Sequence, residues 1–176
     1  MNPNINVILT TDSDGGFSKD GSIPWDFNAG YLKFFEDATR GNICVMGRRT
    51  YEEIINSLDD DGVDTSKDDY ELLNGRKTYV VSSSQDLEVK GATKVDDLHR
   101  VFVLNRDLDT PIFVMGGYRL FIEALGYKPM IYMGIMKDLN LECDRKFPIK
   151  IFNTNKYSIH SGDENDECWL MVYKHL

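Results

Sequence analysis

Apolar residues in this chain fall into two spacings, and the switches between them mark the elements. Asn6-Val7-Ile8-Leu9-Thr10-Thr11 is a short run rich in β-branched residues between polar turns, which predicts a buried strand. Residues 12–21 hold three glycines, two serines and three aspartates and predict a loop. Over 29–40 the apolar positions are Leu32, Phe35 and Ala38, with Tyr31 and Phe34 beside them. That is helical spacing, and Asn28 can cap the start. Residues 42–46 predict a second strand ending at Gly47, and 49–55 open a second helix. Strands follow over 78–83 and 111–115, with a helix over 96–105 between them. Residues 118–125 predict a helix and 129–136 a strand. Residues 156–160 and 167–174 read as a β-hairpin about a turn at 162–165. Residues 58–70 carry six aspartates and one glycine. They lack the alternating spacing and closing Glu of a calcium loop, so they predict a solvated acidic loop.

Strand–helix alternation predicts an α/β fold: a largely parallel central sheet, helices on both faces and a C-terminal antiparallel hairpin. Ligands of such sheets sit at the carboxyl ends of strands. Here those ends are Thr10-Thr11, Met46-Gly47, Ser82-Ser83 and Met115-Gly116-Gly117.

A length of 176 residues predicts a single domain, 1–176. With 41% hydrophobic and 28% charged residues the chain has enough apolar material for a core and is not of disordered type. A net charge of −9 argues against neutralising nucleic-acid phosphates or docking on anionic membranes. No apolar run reaches membrane-span length, and no basic segment precedes the first strand, so the cytoplasm is the expected location. The expected oligomeric state is a monomer. Cys44, Cys143 and Cys168 are odd in number and have no metal-ligand spacing with His99, His160 and His175. They read as reduced, mostly buried thiols, and no metal site is expected.

Two strand–helix junctions carry chemistry. In Gly47-Arg48-Arg49-Thr50 the unpaired N–H groups of a helix start and two arginines suit phosphate oxygens. Met115-Gly116-Gly117-Tyr118-Arg119-Leu120-Phe121 repeats the arrangement, and Gly-Gly lets the backbone approach a ligand closely. It is not G-x-G-x-x-G, so a standard dinucleotide fold is not implied. Two anion sites at neighbouring strand ends suit one extended ligand with a pyrophosphate and a further phosphate, and NADPH has that shape.

Further motifs fall in a telling order. They are Asp20-Gly21-Ser22-Ile23-Pro24-Trp25, Tyr31-Leu32-Lys33-Phe34-Phe35-Glu36-Asp37-Ala38-Thr39, Val45-Met46-Gly47-Arg48-Arg49-Thr50-Tyr51-Glu52, Asn74-Gly75-Arg76-Lys77, Val81-Ser82-Ser83, Val114-Met115-Gly116-Gly117 and Phe147-Pro148. Together they resemble the dihydrofolate reductase family over most of the chain. The resemblance implies that family's fold and an NADPH-dependent reduction of dihydrofolate to tetrahydrofolate. It also implies that Gly47, Arg48, Arg49, Thr50, Ser82 and Ser83 hold the adenosine and phosphates of NADPH. Gly116, Gly117, Tyr118, Arg119, Leu120 and Phe121 would hold the pyrophosphate and nicotinamide side. Thr10, Ser18 and Ile23 would lie along the nicotinamide and its covering loop. On the substrate side, the resemblance implies that Ile8, Leu32, Phe35, Ile54, Leu73 and Met115 wall a folate-like ligand, with Arg76 on its glutamate tail. Tyr31 and Trp25 fall at the catalytic positions.

Three residues depart from the family pattern. Tyr31 stands where the helix motif has a carboxylate that grips the pterin. Gly134 stands where a threonine bonds that carboxylate, and Ser18 where the covering loop has glycine. A carboxylate would favour the protonated pterin, whereas a phenol, with pKa near ~10, stays neutral at pH 7. Losing a charged partner costs roughly 1.5–3 kcal/mol, one to two decades in rate or affinity. The expected enzyme is therefore a slowed dihydrofolate reductase. The alternatives are a reductase of another pterin or of a ribosylamino-pyrimidine, and a non-catalytic cofactor-binding or structural protein on the same fold. Asp26, next to Trp25, is the one nearby carboxylate that could substitute, whereas Glu36 and Asp37 fall on the helix's outer face.

Overall fold

All seven residues of β1 (Ile5–Thr11) are buried, because the strand lies inside an eight-stranded sheet covered on both faces. The computed structural model describes residues 4–139 and 141–176. After β1 come β2 (Gly16–Ser18), α1 (Ala29–Thr39), β3 (Ile43–Gly47), α2 (Arg48–Asp60), β4 (Lys77–Val81) and β5 (Thr93–Val95). Then follow α3 (Leu98–Leu104), β6 (Ile112–Val114), α4 (Tyr118–Leu125), β7 (Met130–Met136) and β8 (Arg145–Lys146). A 3-10 turn (Ile149–Asn153) precedes the final hairpin, β9 (Tyr157–Glu164) and β10 (Cys168–His175).

The main sheet has the order β5-β4-β3-β6-β1-β7-β10-β9. Its first six strands pair in parallel, and β10 runs antiparallel to both β7 and β9. This is the predicted α/β architecture with its antiparallel hairpin. β2 and β8 form a separate two-stranded ladder.

Period-two alternation assigns the faces. Ile5, Val7 and Leu9 of β1 pack with Val45, Val114 and Ile131 under α3 and α4, through Leu98, Val101, Leu120, Phe121 and Ala124. Ile8, Cys44 and Phe113 point the other way, against Phe34, Phe35 and Ala38 of α1. Met46 and Val80 meet Tyr51 and Ile55 of α2 on that same face. Each fully buried aliphatic contributes about 1.5–3 kcal/mol. The three cysteines are buried and unpaired, and burial pushes the Cys44 thiol up to about 12.

Several boundaries differ from the sequence reading. α2 runs on to Asp60, so its last turn takes up the first aspartates of the expected acidic loop. Asp59 still faces the loop and accepts a hydrogen bond from the Thr65 hydroxyl at 3.1 Å. α3 is shorter than expected, because the Asp97 side chain caps it by accepting the Arg100 N–H at 2.8 Å. β9 extends through the expected turn to Glu164, and the chain reverses at 165–167, where the Asn165 side chain accepts the N–H groups of Glu167 and Cys168. In α1 the Asn28 cap is formed with the Tyr31 N–H at 2.8 Å. Leu32, expected on the buried stripe, is 45% exposed, and Tyr31 and Thr39 are the buried positions of that helix. β2, β5 and β8 were not anticipated, being only two or three residues long.

Candidate active site

The two glycine-bearing junctions abut. The Gly47 N–H donates to the Gly116 carbonyl at 2.7 Å, and the Met115 N–H to the Val45 carbonyl at 2.9 Å. Gly116 has φ +127°, and a Cβ there would stand 3.3 Å from Thr50 Oγ1. The Gly116–Gly117 peptide is cis. α2 and α4 start from glycine caps, Gly47 and Gly117, without side-chain capping bonds. Their first-turn N–H groups therefore remain available to an anion.

β4, β3 and β6 are consecutive in the sheet, so Ser82-Ser83, Gly47 to Thr50 and Gly116 to Tyr118 form one row along its carboxyl edge. Neighbouring strands lie ~4.8 Å apart, so the row spans roughly 10 Å. Arg48 Nε donates to Glu52 Oε1 at 2.6 Å, which partly matches its charge. Arg49 and Arg119 make no ion pair among the described residues. The Ser82 hydroxyl accepts the Ser84 N–H at 3.2 Å, and Ser83 is exposed. Leu120 and Phe121, predicted on the coenzyme, belong to the core, and the Phe121 N–H is bonded to the Gly117 carbonyl. Only the Phe121 ring edge reaches the Gly116 turn.

An apolar wall is shared by α1 and α2. Ile8, Phe35, Leu73 and Met115 share one cluster, and Ile54, Leu73 and Met115 share another. Leu73 and Met115 thus join the wall below α1 to the wall below α2. All of the predicted wall residues except the exposed Leu32 are brought together.

Tyr31 of α1 is 5% exposed. Its ring lies 5.3 Å from Phe27, 6.1 Å from Phe34 and 6.5 Å from Phe35, centroid to centroid. A Cβ on Gly134 would stand 2.6 Å from Tyr31 Cδ2 and 3.1 Å from Cε2. The absence of a side chain at 134 is therefore what gives the Tyr31 ring its room, and the two departures form one steric pair. Burial pushes the Tyr31 phenol above the ordinary tyrosine range, and nearby Cys168 adds to this. The phenol is neutral at physiological pH. Trp25 Nε1 donates to Thr10 Oγ1 at 3.1 Å, and Thr10 is paired with Gly134 in the sheet. The indole N–H, which can only donate, thus has a neutral acceptor. Asp26 is exposed and makes no hydrogen bond among the described residues, so no carboxylate replaces the missing one there.

Arg76 is held at the far rim. Its Nε donates to Thr39 Oγ1 at 2.8 Å, Nη1 to the Asn74 carbonyl at 2.6 Å and Nη2 to the Glu36 carbonyl at 3.2 Å. Its guanidinium carbon is 5.9 Å from the centre of the Phe35 ring. All three acceptors are uncharged, and none belongs to the acidic segment 58–70. Among the described residues this guanidinium has no carboxylate partner, and its remaining N–H donors suit a carboxylate. Arg76→Gln is expected to raise the KM of a carboxylate-tailed substrate by roughly 10- to 100-fold with kcat little changed, in line with about 1.5–3 kcal/mol for a charged hydrogen bond. Steady-state kinetics measures it.

The covering segment over residues 12–24 is tied at several points. Buried Asp12 accepts the N–H groups of Asp14 and Gly16 at 2.9 and 2.8 Å. The Asp144 N–H donates to the Ser18 carbonyl at 3.0 Å, and Asp144 Oδ2 accepts the Asp20 N–H at 2.9 Å. Ser18 takes part through its carbonyl, so the third departure leaves this tie intact. Ile23 is 36% exposed, and the half-buried Glu53 carboxylate faces its N–H. Burial raises the Glu53 pKa from the usual 4.5, and the Ile23 amide partly opposes the shift. A raised carboxyl pKa means that the folded state favours the protonated form. That contribution to stability is full below the unfolded value and is lost as pH rises through the folded one. Glu53→Gln is expected to raise Tm at pH 7 and to flatten the fall of Tm with rising pH just above 4.5, as read by thermal melts.

Glu53, Asp144 and Arg145 were missed from sequence. Glu53 lies one helical turn beyond Arg49, a spacing that could have flagged it. The β2–β8 pairing that places Asp144 and Arg145 leaves no local pattern.

Together these features define an α/β domain with two adjoining glycine-capped helix starts and a shared apolar wall. A family profile described as dihydrofolate reductase matches residues 4–61 and 65–174. The dihydrofolate reductase of Bacillus subtilis (strain 168) is 30% identical over 160 residues, covering 91% of this chain and 83% of its own length. The type 3 enzyme of Salmonella typhimurium is 29% identical over 144 residues, covering 82% and 78%. The chain belongs to the dihydrofolate reductase family. The solved structure of the Enterococcus faecalis dihydrofolate reductase complexed with NADP(H) and RAB-propyl shares the fold. Its TM-score is 0.73 at 22% identity, covering 97% of this chain and 95% of that one. No helix among the described residues is long and apolar enough to cross a membrane.

Proposed function

We propose that this protein reduces dihydrofolate to tetrahydrofolate with NADPH, more slowly than relatives that carry the active-site carboxylate. The observation that carries the reading is the Gly47 N–H to Gly116 carbonyl bond, which sets two uncapped helix starts side by side. The cradle suits the coenzyme: a Cβ on Gly117 would meet nothing within 4 Å, so the backbone there is open, and Arg49 makes no ion pair among the described residues. Bound NADPH supplies the hydride.

The chain's own residues do the rest. Arg48, Arg49, Thr50, Ser82 and Ser83 hold the adenosine and the phosphates, and the N–H groups from Gly117 to Arg119 face the pyrophosphate. Thr10 and Ile23 border the nicotinamide. Ile8, Phe35, Ile54, Leu73 and Met115 press the pterin and its benzoyl group into a water-poor slot, and Arg76 fixes the tail carboxylate. These contacts bring the donor and acceptor carbons together, which alone gives substantial acceleration. Protonation of the pterin is the weak step. Tyr31 is uncharged and Trp25 is bonded to Thr10, so neither stabilises the protonated ring, and the proton comes from water.

The test is loss of NADPH absorbance on adding dihydrofolate, against a blank without it. Dihydrofolate-dependent oxidation with tetrahydrofolate as product supports the reading. NADPH binding without pterin reduction overturns it.

A further inference from the structure

We infer that Arg145 is a second arm, opposite Arg49, of a clamp on the coenzyme's pyrophosphate; this rests on the coenzyme reading above. Arg145 lies in β8, paired with Ser18 of β2. Its guanidinium carbon is 5.6 Å from the centre of the Tyr118 ring. Tyr118 is the first residue of α4, directly after the Gly117 cap, and its other neighbour is the Phe17 ring of β2, 6.5 Å away and stacked. The aromatic stack thus carries a cation from a distant strand to the amide cradle.

Arg145 shares a cleft of about 270 Å³ with Ser18, Gly21, Asp144 and Arg49. Arg49 comes from the opposite wall, and its Nη1 would lie 3.9 Å from a Cβ on Gly21. Neither arginine makes an ion pair among the described residues. The one carboxylate in the cleft, Asp144, is turned to the Asp20 N–H. Twenty basic residues face twenty-nine acidic ones in this chain, so partners for arginines are plentiful. Two unpaired guanidiniums across one cleft repel each other, and an anion between them removes that repulsion.

Position selects the pyrophosphate. Arg49 follows β3 and Tyr118 follows β6, which are adjacent strands, whereas Ser82 and Ser83 follow β4 on the far side of β3. The cleft therefore lies over the β3–β6 junction, away from the row's adenosine end. A pyrophosphate is common to NADPH and NADH, so the clamp serves both coenzymes equally.

The test is the Kd of NADPH and of NADH, by coenzyme fluorescence, for wild type, Arg145→Gln and Arg145→Lys, with thermal melts alongside. Arg145→Gln is expected to weaken both coenzymes by the same factor, roughly tenfold, as for one charged hydrogen bond. Arg145→Lys recovers part of the loss, and Tm is unchanged because the side chain is exposed. Affinities of Arg145→Gln within about twofold of wild type overturn the clamp and leave the coenzyme reading standing. Loss confined to NADPH overturns the pyrophosphate assignment. Wild-type protein that binds no NADPH overturns the coenzyme reading, and the clamp with it.

Discussion

Tyr31→Asp combined with Gly134→Thr is expected to raise kcat/KM for dihydrofolate at least about tenfold at pH 7, the return of one charged hydrogen-bond partner. The single variants differ sharply from the pair. Gly134→Thr alone drives a Cβ to 2.6 Å from Tyr31 Cδ2, a separation no packed pair sustains. The ring must shift against Phe27, Phe34 and Phe35, at a cost of about 1–3 kcal/mol or more. Tyr31→Asp alone leaves the space of a phenol ring empty and buries a carboxylate without its hydroxyl partner, and losing a buried aromatic costs about 3–5 kcal/mol. Together, the threonine enters the space the ring vacates and its hydroxyl meets the new carboxylate. A double-mutant cycle on both stability and kcat/KM should therefore show strong positive coupling. Additive effects would mean that Tyr31 and Gly134 are independent substitutions, and no rate gain in the double variant would mean that the slot does not suit pterins.

Gly116→Ala is expected to weaken NADPH binding by at least about 100-fold, as would follow from displacing the whole turn rather than one contact. Alanine at φ +127° is strained, which costs roughly 1–3 kcal/mol. Its Cβ would also press on Thr50 Oγ1 at 3.3 Å. Relief of either requires the Gly116 carbonyl to turn away from the Gly47 N–H and part the two junctions. The apolar wall of Ile8, Phe35 and Leu73 is spared, so ligand-binding measurements should separate coenzyme from substrate.

How much of this was legible in the sequence follows the range of the interactions. Strands such as Ile5–Thr11 and helices such as Ala29–Thr39 carry their own periodicity, with Asn28 marking the start of the helix. The junction glycines marked where the chain turns after β3 and β6, and the fold sets those two turns side by side. Arg76 was read as a ligand residue, and its anchors on Thr39 and the Glu36 carbonyl show how a loop arginine is fixed. By contrast, the Tyr31–Gly134 couple was visible as two departures but not as a clash, since that requires α1 to be laid over β7. The alternative of Asp26 as a replacement carboxylate failed because the side chain points to solvent. β2 and β8 are too short to show periodicity, so the ties through Asp144 and the place of Arg145 appeared only with the fold.

Titration calorimetry with NADPH addresses the adjoining Gly47 and Gly116 turns most directly. One saturable site per chain, lost in Gly116→Ala, is the predicted result. No heat with the wild-type protein, or equal binding by Gly116→Ala, would contradict it.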